Sequence, residues 1–396
     1  MNREDFNLLK NNIIYFDNGA TSLKPKCVVD VVADYYNNYS ANAHRGDYDL
    51  SLKVDNKYEE TRLLVKEFIN AKSNKEIVFT SGTTDSLNKI IFGFFKYYLK
   101  ENDEVLLTKS EHASNILPWF ELGDELNLNI NYIPLNNLEL TLDNVKKTIT
   151  DKTKVISIAH ITNVVGDIRP IKEIIEYAHS KDILVIIDGA QSVAHQKINV
   201  QELDIDFLAF SAHKMLGPTG VGILYGKEEL LSNIHPIIFG GGMNSSFDYD
   251  RLRIYNELPH LLEAGTPNIA GVIGFGEAIK YLNNIGMDNI LIQEQKLKKY
   301  ALEKLKEVPN IIIYNENSKS GIITFNIKDI FAQDLAIYLN KYNICVRSGN
   351  HCAKILKQEI GIKNTCRISF YFYNTFNEID YLVKVLSNPN IKEEII

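Results

Sequence analysis

The sequence has no apolar run approaching the roughly 20 residues needed to span a bilayer, which argues against a membrane protein. It has no basic block: 43 Lys and Arg face 50 Asp and Glu, for a formal net charge of -7. Nothing stands out to meet a phosphate backbone, so nucleic-acid binding is not expected. The nine histidines are scattered, with no pair at helical or finger-like metal-ligand spacing, and no metal is expected. The opening stretch, MNREDFNLLKNN, lacks an apolar signal core, which predicts a protein that is not secreted. Cysteine is scarce. Cys27, Cys345, Cys352 and Cys366 make no disulfide framework in 396 residues and point to reduced thiols in a cytoplasmic setting. Internal repeats and low-complexity linkers are also missing.

What is present suits a large globular chain. A hydrophobic content of 45% allows one large core and a second, smaller one. Short β-branched runs alternate with helical patterns. Strands are predicted at 76–80, 103–108, 153–160, 182–188 and 206–211, with helices from about Thr84 to Leu99 and from about Ile171 to Ser180. Val54, Tyr58, Thr61, Val65 and Phe68 form a mostly apolar stripe at helical spacing. Apolar strands separated by helices predict an α/β fold whose large sheet is mostly parallel and covered on both faces. About 100 C-terminal residues read as helix, strand, strand, helix and a short strand ending near Phe370. They predict a smaller α+β unit. The division is drawn as 14–265 for the large domain and 266–396, with 1–13, for the small one.

The polar residues that look chemical follow the strands, where open α/β sheets bind ligands. In FLAFSAHKMLGPTGVGILY (207–225), Ser211-x-His213-Lys214 and its Gly-rich turn resemble the Schiff-base segment of class V, fold-type I pyridoxal-phosphate enzymes. An imine needs an amine whose pKa is well below ~10.4, and a lysine ending a buried strand can supply it. Asp188 closes an apolar strand and can hold the pyridinium nitrogen protonated, making the ring an electron sink; a helix N-cap is the competing use. Gln191 and Asn163 can hydrogen-bond the ring oxygen. Ser, Gly, Thr83 and Thr84 end one strand and open a helix, a setting for a phosphate or for plain N-capping. Ser211 and His213 would complete that cradle. His112 can lie over the ring and move protons, or cap and pack. Cys352 sits in a loop with His351 and Arg347 close in sequence, and a thiolate is the stronger nucleophile where cations lower a pKa of about 8.5. Arg367 begins a short strand and suits a carboxylate or a structural ion pair. Cys27, Cys345 and Cys366 read as structural thiols.

Taken together these segments resemble group II, SufS-like cysteine desulfurases over essentially the whole chain. The matching stretches include YFDNGATSLKP (15–25), His44-Arg45-Gly46, TSGTTDSLN (80–88), EHASNILPW (111–119), HITNVVG (160–166), DGAQ (188–191), FGGGM (239–243), EAGTPN (263–268), RSGNHCA (347–353) and CRIS (366–369). The resemblance implies conversion of L-cysteine to L-alanine, with sulfur stored as a persulfide on Cys352. It implies that Lys214 carries pyridoxal 5'-phosphate, that Asp188, Gln191 and His112 hold the ring, and that Thr84, Ser211 and His213 bind its phosphate. It places Gly265 and Thr266 at the phosphate of a partner subunit, hence a homodimer, and gives Asn163, Arg367 and Arg347 to the substrate. The sulfur would pass to a SufE-like or SufU-like acceptor for iron–sulfur cluster assembly. Two departures remove proton carriers or docking groups: Asn350 and Tyr48 stand where the family often has histidine. Selenocysteine lyase activity fits the same residues. Kynureninase-like hydrolysis and transamination need no thiol, and a non-catalytic subunit needs neither Lys214 nor Cys352.

Overall fold

The computed structural model of the chain describes residues 3–44, 46–314 and 316–395; Arg45 of the His44–Gly46 stretch therefore lies outside the described residues. After a two-residue strand, β1 (Ile14–Tyr15), come helices α1 (Lys26–Asn38) and α2 (Asp49–Phe68). Val54, Tyr58, Thr61 and Val65 are buried on one face of α2, as their spacing predicts. Next come β2 (Ile77–Thr80), α3 (Thr83–Ile90), β3 (Glu104–Thr108), β4 (Asn129–Ile133), β5 (Thr153–Ala159), β6 (Leu184–Asp188), β7 (Phe207–Ser211) and β8 (Gly222–Gly226). They form one seven-stranded sheet in the order β2-β8-β7-β6-β5-β3-β4. All neighbours are parallel except β8, which runs against both β7 and β2.

Apolar side chains cover both faces of the sheet. Val185 and Ile187 of β6 join the core formed with α1 and α2, whereas Ile186 joins the core on the opposite face. All three are fully buried, and each such side chain contributes about 1.5–3 kcal/mol of transfer free energy. Alternation of this kind requires a strand covered on both sides. The helix expected from Thr84 is interrupted by a π-type turn over Ile91–Phe95. There the Gly93 carbonyl accepts from the His235 N–H at 2.9 Å, and a Cβ on Gly93 would come within 2.7 Å of the His235 oxygen. A close backbone approach from outside thus reshapes the helix at its glycine.

A hairpin, β9 (Asn244–Phe247) with β10 (Arg253–Tyr255), precedes the C-terminal part. The Ile269–Ile285 helix, past the division drawn at 265, packs on α1 and α2 within the first core. The Met287–Leu305 helix turns Leu297, Ala301 and Leu305 toward a separate core. That core covers an antiparallel sheet of β11 (Ile311–Ile313), β12 (Ile322–Ile327), β15 (Thr365–Ser369) and β14 (Arg347–Gly349), in that order. Phe16 belongs to it too, because β1 pairs in parallel with β13 (Ile344–Cys345). Among the described residues no helix is long and apolar enough to cross a membrane.

Candidate active site

The strand directions bring the chemistry to one edge. β3, β5, β6 and β7 are parallel, and β2 points the same way because it is antiparallel to β8, which is antiparallel to β7. Asp188 ends β6, Ser211 ends β7, Thr80 ends β2, and His112 and Asn163 follow β3 and β5. A single cavity at this edge is lined by Thr83, Thr84, His112, Asp188, Ser211 and Lys214, among others.

Lys214 closes a short turn after β7. Burial lowers its pKa to about 8, with Arg367 and Arg347 acting in the same direction and Asp188 opposing them. The amine is thus within reach of neutral pH. Asp188 is buried, which pushes its pKa up to about 6, so it remains mostly ionised at pH 7. It caps no helix. Its Oδ1 accepts the Ala190 N–H at 2.9 Å in a local turn, and the segment that follows is a run of turns.

Thr83 and Thr84 are the first helical residues of α3, after Gly82, so neither is its N-cap. Their hydroxyls bond elsewhere: Thr83 Oγ1 lies 2.6 Å from Ser211 Oγ, and Thr84 Oγ1 lies 2.7 Å from Ser114 Oγ. Ser211 Oγ also accepts the Thr83 N–H at 2.7 Å. The turn needs a bare backbone beneath it, since a Cβ on Gly222 would come within 2.4 Å of Gly82 Cα. His112 both caps and lines the cavity. Its Nδ1 accepts the Ser114 N–H at 3.1 Å, which leaves the proton of the neutral ring on Nε2. Burial, then Lys214, lowers its pKa to about 4. His213 lines the same cavity and is likewise lowered to about 4, first by burial.

Gln191 and Asn163 are buried with one amide atom each unpaired. Gln191 Nε2 donates to the Gly19 carbonyl at 2.8 Å and Asn163 Nδ2 donates to the His351 carbonyl at 2.6 Å, leaving Gln191 Oε1 and Asn163 Oδ1 without partners. Each NH2 keeps a second hydrogen for a ligand.

The smaller sheet reaches the same edge from above. Arg367 on β15 is fully buried, donating to the Asn163 carbonyl at 2.7 Å and to Asp17 at 3.0 Å. Arg347 stands opposite it in the β14–β15 register. Cys352 is exposed, with Arg347 Nη2 3.6 Å from its Sγ. The Cys352 carbonyl accepts from Ala113 N–H at 2.8 Å, tying this loop to the His112 segment. His351 does not supply the second cation expected beside the thiol. It is buried, its Nε2 faces the Thr365 carbonyl and hydroxyl at 3.0 Å, and burial holds its pKa at about 2. Cys366 is buried and its thiol is pushed up to about 12, while Cys27 and Cys345 are half-buried and also raised by burial. Thr266 is exposed and is not among the residues lining the cavity.

Sequence reading missed several members. Asp17, Gly19 and Ser114 touch Arg367, Gln191 and Thr84, and beneath His112 lies a fully buried Arg169–Glu111 pair at 2.5 Å. The first three stand in matched stretches, which was their only signal; their partners are distant in sequence.

The chain matches the class-V aminotransferase family over residues 14–382. It is 43% identical over 376 residues to a probable cysteine desulfurase of Halalkalibacterium halodurans, covering 94% of this chain and 92% of that one. The solved apo cysteine desulfurase of Thermococcus onnurineus superposes with a TM-score of 0.93 at 38% identity, covering 97% of this chain and 96% of the other. The cysteine desulfurase CsdA of Escherichia coli gives 0.92 at 33%, covering 99% and 97%. The chain belongs to the class-V aminotransferase family, among its cysteine desulfurases. As a class-V enzyme it uses pyridoxal 5'-phosphate, and the residues of this desulfurase fit that group. A lysine with a depressed pKa, a buried ionised carboxylate and two buried amides, each with an NH2 hydrogen to spare, meet beside a helix N-terminus without a side-chain cap.

The pKa of Lys214 carries a prediction. Only the free amine attacks an aldehyde, so cofactor uptake by the stripped desulfurase should speed up as pH rises through about 8 and level off above it. Asp188 favours the ammonium form, so Asp188→Asn should move that rise to lower pH. Stopped-flow absorbance at a series of pH values reads both; a pH-independent rate contradicts the assignment.

Proposed function

We propose that the enzyme removes sulfur from L-cysteine, holds it as a persulfide on Cys352, and passes it to a SufE-like or SufU-like protein for iron–sulfur cluster assembly. The observation that carries this reading is Cys352: an exposed thiol with a guanidinium 3.6 Å away, hydrogen-bonded through its own carbonyl to the segment of His112. The compact 347–353 loop supports a group II, SufS-like enzyme that depends on its acceptor. Four free thiols suit a cytoplasmic setting. The large unit would hold the cofactor and the small one the nucleophile.

Bound pyridoxal phosphate supplies an electron sink for charge developing at the substrate Cα. Asp188, ionised and buried, would hold the ring nitrogen's proton; Thr83, Thr84, Ser211 and His213 would hold the phosphate. His112 would lie over the ring, with its proton on Nε2. Arg367 and Arg347, with Asn163, would receive the substrate carboxylate. The Lys214 amine would take the Cα proton. The Cys352 thiolate then forms a bond to the substrate sulfur as the Cβ–Sγ bond breaks; a proton added at Cβ and the proton returned from Lys214 to Cα complete alanine. Incubation with cysteine, followed by alkylation and mass mapping, tests this: sulfur should appear on Cys352, whereas a persulfide on Cys345 or Cys27 would sink the proposal.

A homodimer is part of the same reading, with Gly265 and Thr266 of one chain reaching the phosphate of the other. Thr266 caps nothing in its own chain: the helix that follows is capped by Asn268, which accepts the Gly271 N–H at 3.0 Å. Thr266→Ala should therefore leave folding stability nearly unchanged but weaken cofactor retention, since a charge-assisted bond to phosphate is worth roughly 1.5–3 kcal/mol. Adding cofactor to stripped protein should raise the dimer fraction by mass action. Sedimentation of parent and variant, with and without cofactor, checks both. A fully active monomer would remove the shared site.

A further inference from the structure

We infer that Asp17 is an internal stand-in for the substrate carboxylate, an anion that occupies Arg367 in the free site and sets how tightly a carboxylate-bearing ligand is held. This rests on the reading that Arg367 receives that carboxylate. Arg367 is fully buried, with Nη1 on the Asn163 carbonyl at 2.7 Å, Nη2 on Asp17 Oδ1 at 3.0 Å, and Nε without a partner. Its one carboxylate contact among the described residues is Asp17.

The approach of Asp17 is built into the fold. The chain leaves β1, turns at Asp17–Ala20 through an Ala20 N–H to Asp17 carbonyl bond of 3.0 Å, and is pinned there by Gly19 N–H on Ser369 Oγ at 2.7 Å. A Cβ on Gly19 would lie 3.1 Å from Arg367 Cζ and Nη2, so the glycine lets this strap rest against the guanidinium. Arg347 and Lys214 also act on Asp17. The carboxylate therefore sits among the cations that the substrate must meet.

An incoming carboxylate at Arg367 encounters a like charge already there. Asp17 keeps the buried guanidinium balanced and aimed while the site is free, and it must share or yield that cation when substrate arrives. Affinity for the carboxylate is lowered accordingly.

Asp17→Asn keeps the shape and an Oδ1 acceptor, removes the charge and turns the second oxygen into an NH2 donor. In the cofactor-loaded enzyme, visible absorbance changes give dissociation constants for L-alanine and for ethylamine, which differ by the carboxylate alone. Asp17→Asn should tighten alanine by about fivefold, the effect of one partly screened like charge at contact range, and leave ethylamine unchanged. The KM for cysteine should fall with alanine. Equal shifts of both ligands would mean a structural effect and overturn the inference, as would an unchanged or weaker alanine affinity. Melting temperatures confirm folding, and Asp17→Ser, which removes the charge with a smaller side chain, should shift the same ratio in the same direction. Arg367→Gln separates the premise: it should weaken alanine alone. If Arg367→Gln leaves the alanine-to-ethylamine ratio intact, the placement of the carboxylate at Arg367 fails, independently of Asp17.

Discussion

Lys214→Ala should lose about a thousandfold or more in sulfur release, together with the visible absorbance band of the cofactor-bound enzyme. Two tasks fall on this one amine. In the proposed mechanism it ties the cofactor to the chain and moves the Cα proton. Burial brings its pKa to about 8, so at neutral pH a usable fraction is free base. The nearest rival is unsuited. Lys24 is also lowered to about 8 by burial, but its ammonium is bonded to the carbonyls of Ser22 and His213 and to Thr21 Oγ1, beneath the lysine turn. The phosphate contacts proposed for Thr83, Thr84, Ser211 and His213 do not involve Lys214, so the variant should still bind pyridoxal phosphate noncovalently. Absorbance spectra, cofactor content after gel filtration and a sulfide assay separate attachment from retention. Turnover at the parent rate would refute the role given to Lys214.

Cys352→Ala should bind cofactor and cysteine as the parent does, yet release no sulfur to any acceptor. The thiol is exposed and its sulfur makes one polar contact, with Arg347, so truncation leaves no cavity in a core and little stability is at stake. The loop is held by backbone: the Cys352 carbonyl on Ala113 and the Ala353 N–H on the Asn350 carbonyl. His351 and Cys352 both have positive φ, +52° and +59°, a conformation that alanine tolerates no worse than cysteine. Spectral titration with cysteine should give the parent constant while the persulfide assay reads zero. Sulfur release above a few per cent of the parent would move the nucleophile elsewhere.

Five of the sheet's seven strands were legible because they are short, apolar and bounded by polar residues at one edge; β4, at the sheet's end and largely unburied, was not. Their place at or after a strand made Asp188, Ser211 and Lys214 candidates, and the structure brings all three to one cavity. β8 was harder to see: Gly222–Gly226 opens and closes on glycine and follows a Gly-rich turn, so its pattern resembles loop until it is paired on both sides. The β9–β10 hairpin was missed for a similar reason, being exposed and without a buried face. Among site residues, position after a strand was a good guide, but partners were not. Arg367 could be read as a carboxylate binder, while the carboxylate beside it, Asp17, is 350 residues away. His351 shows the reverse failure. Adjacency to Cys352 suggested a cation, yet successive residues in this loop point apart, and the imidazole is buried against Thr365.

The pairing of β1 with β13 also orders the making of the protein. Residues 14 and 15 find their strand partner only when residues 344 and 345 exist, and the Asp17–Gly19 turn finds Arg367 and Ser369 later still. By then the seven-stranded sheet, complete at residue 226, has had time to form. The sheet edge that carries Lys214 and Asp188 therefore has all its strands before the turn at Asp17 has Arg367 to close against. Such a long-range closure is slow in entropic terms. A ribosome-bound chain cut short before residue 344 should hold a sheet without a finished site, so the turn at Asp17, made before the sheet, is completed after it.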